Sequence, residues 1–247
     1  MTPIYHFNMN NLPKIYGFNK TSEMGLNLFA PSIFLGGCNL RCKYCMNHKL
    51  IQPADLKEVS LDIIRQHIQE NKCEWINISG GEPTCHAYEK LMNLINEFKA
   101  LGCKIGMSTN GTIPDSLRGI ISHLNYVALD IKSNRYAVYD DISTDSNYNF
   151  TGVIISHSIL VQEKNKRQDF DFEVRTTLFP SYIDAEGLRE IGQMLRSGDK
   201  WVLQQFRNNV SMLESKSSEI TPYDNKQLND ILEQVKHVSS NVHLRYV

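Results

Sequence analysis

Residues 74–102 read EWINISGGEPTCHAYEKLMNLINEFKALG, and this stretch contains the repeating unit of the fold. Its beginning, EWINISGG, is an apolar strand that runs into two glycines. The segment 86–102 has the apolar spacing of one helix face and ends in glycine, a typical helix stop. That apolar face consists of Leu91, Leu94, Ile95 and Phe98. A strand, a turn and a helix in this order form one βα unit.

The same unit recurs on both sides of this stretch. The other predicted strands are PSIFLGG, KIGMSTNG, NYVALDIKS, FDFEVRTTLFP and KWVLQQFRN, and helical patterns follow them. Six βα units predict an α/β fold with a parallel sheet, curled by right-handed crossovers into a partial (β/α)6 barrel. We predict one domain over residues 1–247, with its core at about 31–207. A polar N-terminal extension (1–30) and a C-terminal segment (208–247) with one helix and a short strand flank that core.

Composition excludes several classes of protein. The net charge is −1, with 26 basic and 27 acidic residues, so nothing attracts nucleic acid or an anionic membrane in general. No basic start followed by an apolar stretch opens the sequence, and no stretch reaches the roughly 18 apolar residues of a membrane span. We therefore expect a cytoplasmic protein. Its six cysteines are then not a disulfide framework, because that compartment keeps thiols reduced.

Three cysteines are clustered in GGCNLRCKYCM, residues 36–46, directly after the first predicted strand. Cys38, Cys42 and Cys45 are close enough along the chain to reach one metal centre. A zinc ion would need a fourth ligand, for which His48 is the candidate. A four-iron cluster could use three thiolates and leave one iron open. The cysteines alone leave both interpretations open.

Polar and glycine-bearing turns follow every predicted strand. They are GGCNLRCKYC, SGGEPT, STNGT, LDIKS, RTTLFP and QQFRN. In barrels of parallel strands, the chemistry takes place at the carboxyl ends of the strands. The sequence therefore predicts that these six turns share one rim, together with a long polar loop at residues 133–152.

A cysteine motif C-x3-C-x-aromatic-C, followed one βα unit later by GGEP, resembles the signature of the radical S-adenosylmethionine (SAM) enzymes. The chain is most similar to the small activating enzymes of glycyl radical enzymes, in the branch that serves anaerobic ribonucleotide reductase. The stretches that carry this resemblance are YGFNKTS, ISGGEPT, STNG, VALDIKS, EVRTTL and WVLQQFR.

The resemblance implies a chemistry and its partners. One [4Fe-4S] cluster would cleave SAM reductively to a 5'-deoxyadenosyl radical, with an electron from a flavodoxin or ferredoxin-type donor. The radical would then abstract hydrogen from a glycine of a partner glycyl radical enzyme such as anaerobic ribonucleotide reductase. The alternative is direct action on a small molecule, on a nucleoside as in the related deazapurine synthases, or on a peptide.

The resemblance also assigns roles near the cluster. Cys38, Cys42 and Cys45 would be the cluster ligands. Tyr44 and Met46 would flank the cluster, with Tyr44 under the adenine, although core packing would explain either residue.

The GGEP turn would contact SAM. Gly80 and Gly81 would let the backbone approach the ligand, and Glu82 would accept a hydrogen bond from the SAM ammonium. The alternative explanation of GGEP is an ordinary glycine turn before a helix.

The later strands would supply the remaining contacts to SAM. Asp130 and Lys132 should point the same way, because they are two residues apart at a strand end. Lys132 suits the SAM carboxylate, and Asp130 suits a ribose hydroxyl or a cation, although a plain ion pair is the alternative. Arg175 needs an anion, either that carboxylate or an internal one such as Asp130. Gln205 and Arg207 would contact ribose and adenine.

The STNG turn contributes Ser108 and Asn110 to the predicted site. Some activating enzymes have aspartate where this chain has Ser108, and that aspartate helps to hold a monovalent cation. Serine is a weaker oxygen ligand, so a cation is here only a possible further cofactor.

Overall fold

The structure, a computed structural model, describes residues 11–25 and 27–246. Within these residues, one sheet of eight strands runs in chain order, with β2 to β8 parallel and β1 antiparallel to β2. The strands are β1 (Ile15–Gly25), β2 (Leu28–Leu35), β3 (Trp75–Gly80), β4 (Lys104–Thr109), β5 (Tyr126–Asp130), β6 (Asp171–Leu178), β7 (Lys200–Gln205) and β8 (Val242–Arg245). The sheet is curled, which confirms the predicted partial barrel.

Helices connect the parallel strands on the outside of the curl. They are α1 (Leu61–Asn71), α2 (Tyr88–Ala100), α3 (Pro114–Ile120), α4 (Tyr136–Ile142), α5 (Phe150–Lys166), α6 (Ala185–Met194) and α7 (Asn225–Lys236). Helix α2 buries the four residues of its predicted apolar face completely. It begins at Tyr88 and not at residue 86, because Pro83–Cys85 form a separate 3-10 turn and His86 is extended. In the part of the chain that the structure describes, no helix is long and apolar enough to cross a bilayer.

The prediction of a polar extension before residue 31 was wrong for residues 15–30. Ile15–Gly25 form β1 and residues 28–30 begin β2, so both parts belong to the sheet. Residues 1–10 of the predicted extension lie outside the described residues. The pairing of β1 with β2 shifts register three times, which breaks the alternation of buried and exposed side chains that identifies a strand from sequence.

The prediction of a long loop at residues 133–152 was also wrong. Helix α4 lies inside this segment and α5 begins there, at Phe150. Helix α4 is short, and its two buried side chains, Tyr139 and Ile142, are too few to show a helical period in the sequence. Both side chains pack into the interior and anchor the segment at the rim.

Replacing Asn149 by alanine should destabilise the fold by about 1 kcal/mol, the usual value of a helix N-cap. The Asn149 side chain accepts hydrogen bonds from the backbone N–H groups of Thr151 and Gly152, at 3.0 and 3.4 Å. Urea unfolding measures the change. Asn147→Ala, two residues away in the same exposed turn, is the matched control, and an equal loss in both variants would contradict the capping role.

A second apolar cluster lies under the carboxyl ends of the strands, apart from the main core between sheet and helices. Its buried members are Leu40, Cys42, Tyr44, Ile142, Phe179, Tyr182, Phe206 and Met212. Three residues of the cysteine loop, Leu40, Cys42 and Tyr44, are therefore anchored in a packed layer.

Candidate active site

One cavity of about 320 Å³ opens at the carboxyl ends of the strands. All predicted site residues line this cavity: Cys38, Cys42, Tyr44, Cys45, Met46, Gly80, Gly81, Glu82, Ser108, Asn110, Asp130, Lys132, Arg175, Gln205 and Arg207. Seven further lining residues were not predicted from the sequence: Leu40, Asn47, Ser79, Thr109, Thr177, Gln204 and Phe206. Most of these seven are next to a predicted residue along the chain. The motifs therefore indicated where the cavity wall is, but not all of the residues that form it.

The cysteine loop is fixed by its own backbone and by its neighbours. The Arg41 guanidinium donates to the carbonyl oxygens of Cys38 and Leu40, at 2.8 and 3.0 Å. The Cys45 N–H donates to the Cys42 carbonyl at 3.0 Å, which closes a turn. These bonds hold the loop in a shape that keeps all three thiols on the cavity wall.

Burial dominates the electrostatics of the three thiols. It raises the pKa of Cys38 to about 11 and that of Cys42 to about 12, and it raises the pKa of Cys45 as well. All three cysteines are free of disulfides. As thiolates they therefore need a positively charged centre in the cavity.

His48 does not join these thiols. Its Nδ1 lies 3.3 Å from the Cys45 carbonyl oxygen, and its side chain is not part of the cavity lining. The residue considered as a fourth zinc ligand is thus used to hold the backbone of the cysteine loop.

The GGEP turn is packed directly against the cysteine loop. The Gly81 N–H donates to the Leu35 carbonyl at 2.9 Å, and the Glu82 N–H donates to the Gly37 carbonyl at 2.8 Å. A Cβ atom on Gly81 would lie 1.8 Å from the Gly37 carbonyl oxygen. Gly80 has a φ of +116°, and a Cβ atom on it would lie 2.3 Å from the Leu35 backbone nitrogen. The chain itself therefore requires both glycines, in addition to any approach by a ligand.

The Glu82 carboxylate lies beneath this turn and is buried. It accepts hydrogen bonds from the Thr84 N–H and hydroxyl, from the Thr109 hydroxyl at 2.7 Å and from the Asn110 N–H at 2.6 Å. Burial raises the pKa of Glu82, while these donors act in the opposite direction. The carboxylate thus joins the turn after β3 to the turn after β4.

Asn39 is a structural residue that no sequence motif indicates. Its side-chain amide donates to the Thr112 hydroxyl at 2.7 Å and accepts from the Asn110 side chain at 2.9 Å. The Asn39 carbonyl accepts from the Thr144 N–H at 3.0 Å. These partners are 71 to 105 residues away along the chain, so no local pattern could reveal them.

Asp130 and Lys132 form an ion pair on the cavity wall, with 2.8 Å between Nζ and Oδ2. Their side chains are 30% and 14% exposed. Burial opposes the charge on Lys132, but Asp130 and neighbouring groups outweigh burial, and the pKa of Lys132 lies well above its usual value. The two side chains point the same way, as their spacing predicted.

Replacing Asp130 by asparagine should destabilise the protein by about 2 kcal/mol, because Lys132 would keep its charge in a largely buried position without its counter-ion. Urea unfolding of the apoprotein gives the value. Asp141→Asn is the matched control, since Asp141 pairs with Lys43 at the surface, where the side chains are 42% and 56% exposed. An Asp130→Asn loss no larger than that of the control would show that the buried Lys132 charge does not depend on Asp130.

Arg175 has an internal counter-ion, which is Glu173 and not the suggested Asp130. Its Nε donates to Glu173 Oε1 at 2.6 Å, and its Nη2 donates to the Met24 carbonyl. Asp130 is the register neighbour of Arg175 on β5, but it pairs with Lys132 instead. Glu173 is fully buried on the same face of β6, two residues before Arg175.

Tyr44 packs among aromatic rings at the side of the cavity. Its ring centroid lies 4.9 Å from that of Phe179 and 5.4 Å from that of Tyr182. The buried Tyr44 hydroxyl has no hydrogen-bond partner among the described residues. Tyr44 therefore both packs against aromatic rings and lines the cavity.

Three further predicted residues stand toward the opening of the cavity. Met46 is 51% exposed, and Arg207 is exposed as well. The Gln205 side-chain amide donates to the Tyr223 carbonyl at 3.3 Å, which ties β7 to the C-terminal segment.

Comparison with known proteins identifies the class. Residues 32–154 match the model of the radical SAM superfamily. Together with the curled sheet and the cysteine-lined cavity, this match shows that the chain belongs to the radical SAM superfamily and is an enzyme of that type.

Three known proteins illustrate what this chain is similar to. The chain is 28% identical over 220 residues to a Methanocaldococcus jannaschii protein named as a candidate glycyl-radical enzyme activating enzyme, covering 87% of this chain and 88% of that protein. It is 32% identical over 139 residues to the 7-carboxy-7-deazaguanine synthase of Methanospirillum hungatei, covering 52% of this chain and 56% of the relative. A domain of pyruvate-formate lyase-activating enzyme from Bacteroides vulgatus shares the fold, with a TM-score of 0.50, 11% identity and coverage of 70% of this chain and 98% of that domain.

The superfamily implies a [4Fe-4S] cluster and SAM, and the donor set fits both. Three thiols face one cavity, which suits a cluster that leaves one iron open. Cationic Lys132 and Arg175 line the same cavity and suit a carboxylate, while the ring of Tyr44 offers an apolar wall.

Proposed function

We propose that this protein is an activating enzyme that generates a glycyl radical on a partner protein. The observation that carries the proposal is the convergence of the three cysteines, the GGEP turn and the Asp130–Lys132 pair on one cavity. The similarity to an activating-enzyme relative supports it, because that similarity extends over 87% of the chain.

Cys38, Cys42 and Cys45 would hold the cluster as thiolates. When bound, the cluster and SAM supply a 5'-deoxyadenosyl radical, which takes a hydrogen atom from the substrate. The residues around them bind, orient and shield these groups. The GGEP backbone bonds keep the cysteine loop at a fixed distance from the wall that receives SAM.

The remaining residues have complementary tasks toward SAM. Lys132 and Arg175 would bind its carboxylate, and the GGEP turn with Glu82 would accept from its ammonium. Tyr44, Gln205 and Arg207 would contact adenine and ribose. Buried Phe206 lines the cavity beside them and would keep water from the reacting atoms. Asp130 and Ser108 are the oxygen donors that a monovalent cation would use, and dependence of activity on K⁺ tests that cation.

A protein substrate fits the rim. Helix α4 packs its Ile142 against the cysteine loop and leaves Tyr136 half-exposed, and the Arg135–Asp184 ion pair lies beside it at the surface. Tyrosine and arginine are enriched at protein contacts. A flavodoxin or ferredoxin-type protein would supply the electron.

The second candidate is direct action on a nucleoside. The similarity to 7-carboxy-7-deazaguanine synthases favours it, but it covers only about half of the chain. A nucleoside substrate would be consumed stoichiometrically with SAM, whereas an activating enzyme modifies its partner once per chain. Measuring the amount of product formed per SAM and per partner chain therefore separates the two candidates.

Electron paramagnetic resonance (EPR) of the reconstituted, reduced protein, mixed with SAM and a glycyl radical enzyme encoded in the same genome, tests the proposal. A persistent glycine-centred doublet, with 5'-deoxyadenosine formed in step, is the expected result. The Cys42→Ala protein is the control and should give no doublet. Continuous release of 5'-deoxyadenosine without a protein radical, dependent on an added nucleoside, would overturn the proposal in favour of the second candidate.

A further inference from the structure

Strands β1 and β2 form an antiparallel hairpin. The end of β1 enters the interior of the barrel below the cavity. Met24 is 1% exposed and packs so closely on β4 that a Cβ atom on Gly106 would lie 1.9 Å from its sulfur. Gly25 lies against the Tyr126 ring, where an added Cβ atom would come within 2.5 Å. The end of β1 is therefore fitted to β4 and β5 from inside the curl.

Buried charges surround this end of β1. The Glu173 carboxylate lies 2.6 Å from Arg175 Nε and 3.3 Å from Arg245 Nη2. It also accepts from the Tyr126 hydroxyl at 2.9 Å, and burial together with Glu173 raises the pKa of Tyr126. Glu173, Arg175 and Arg245 are all less than a tenth exposed. Such a group is stable only when its charges and donors are matched.

The end of β1 supplies the remaining partners of the buried arginines. The Met24 carbonyl accepts from Arg175 Nη2. Glu23 Oε1 lies 3.0 Å from Arg245 Nε, an ion pair whose angle is too poor for a hydrogen bond. Strand β1 is thereby tied to β6 and to β8, the strand at the other edge of the sheet. Two carboxylates and two guanidinium groups balance one another beneath the cavity.

We infer that the end of β1 and Glu173 serve the ligand site indirectly, by positioning Arg175. With Nε and Nη2 of Arg175 committed to Glu173 and to the hairpin, the guanidinium is held at the cavity wall in one orientation. A fixed guanidinium receives a carboxylate without first losing rotamer freedom. Glu173 and the hairpin are positioning residues, and the inference rests on the proposed function because the carboxylate is that of SAM.

Without the charge of Glu173, the Arg175 guanidinium would no longer be held in this orientation. Arg175 and Arg245 would then share a neutral partner in a buried place, and their mutual repulsion would turn the guanidinium away. The contact that suffers is the one to the ligand carboxylate. Contacts to the adenine and ribose involve other walls of the cavity and should persist.

The test compares two non-reacting ligands on the reconstituted holoprotein by calorimetry. These ligands are S-adenosylhomocysteine, which carries the carboxylate, and its decarboxylated analogue S-adenosyl-3-thiopropylamine. Glu173→Gln should weaken the first about tenfold, the value of one charge-assisted contact, and change the second by less than about twofold. Asp171→Asn is the matched control on the same strand, because Asp171 pairs with Lys164 near the surface, and neither affinity should change.

Gly25→Ala tests the hairpin separately and carries the test if the Glu173 variant does not fold. The new Cβ atom would push β1 off Tyr126 and should give the same selective loss. Gly17→Ala, whose Cβ atom would meet the Phe34 side chain at 3.2 Å on the same strand, should not. Equal changes for the two ligands, or no change, would overturn the inference. Wild-type protein that binds neither ligand would instead contradict the proposed function and, with it, this inference.

Discussion

Cys42→Ala protein is expected to lose its iron and to cleave SAM at least about a thousandfold more slowly than the wild type, because a cluster on two thiolates is not retained. Cys42 is buried in the apolar layer under the cavity, so no other donor can move into its place without disturbing Tyr44 and Phe206. Iron and sulfide analysis with the visible absorption spectrum reports the cluster, and 5'-deoxyadenosine reports the cleavage. Cys38→Ala and Cys45→Ala should behave alike.

The matched control is Cys73→Ala. Cys73 precedes β3, at the amino end of the strands and away from the cavity, and its side chain is partly exposed. This variant should keep the wild-type iron content and rate. Cluster cysteine variants that retain iron and still cleave SAM would refute the assignment of all three ligands.

Gly81→Ala should destabilise the protein by about 3 kcal/mol and prevent cluster assembly, since overpacking of this severity cannot be relieved by a side-chain rotation. The added Cβ atom would lie 1.8 Å from the Gly37 carbonyl oxygen and 2.6 Å from its carbon, and both atoms are backbone. Relief requires the turn to move away from the cysteine loop. That movement breaks the Glu82 N–H bond to Gly37 and shifts Cys38.

Urea unfolding of the apoprotein and iron uptake on reconstitution measure the two effects of Gly81→Ala. Gly198→Ala is the control, because Gly198 has a φ of +93° with nothing within 4 Å of an added Cβ atom. It should cost only the backbone strain, about 1 kcal/mol, and leave iron uptake intact. A Gly81→Ala protein with control-like stability and a full cluster would show that the close contact between the GGEP turn and the cysteine loop is not required.

The sequence predicted the six βα units because their helices and parallel strands have clear apolar periods. It located the site because polar turns at strand ends must share one rim in such a fold. Cys38, Glu82, Lys132 and Arg207 come from four different turns, yet all four line the cavity.

What the sequence could not predict depends on tertiary contacts. The register shifts in β1 hid a strand. The choice of ion-pair partner also depends on tertiary contacts. Arg175 pairs with Glu173 and donates to the Met24 carbonyl, whereas Asp130 pairs with Lys132. Two of the four donors to Glu82, the Thr109 hydroxyl and the Asn110 N–H, likewise depend on how two successive turns meet.

The most direct test of the central claim is EPR of the anaerobically reconstituted, dithionite-reduced protein, recorded with and without SAM. We expect the signal of a reduced four-iron cluster whose g-values shift when SAM is added, because three protein thiolates leave one iron open to it. A spectrum that SAM does not alter, or a protein that binds zinc and assembles no cluster, would contradict the account.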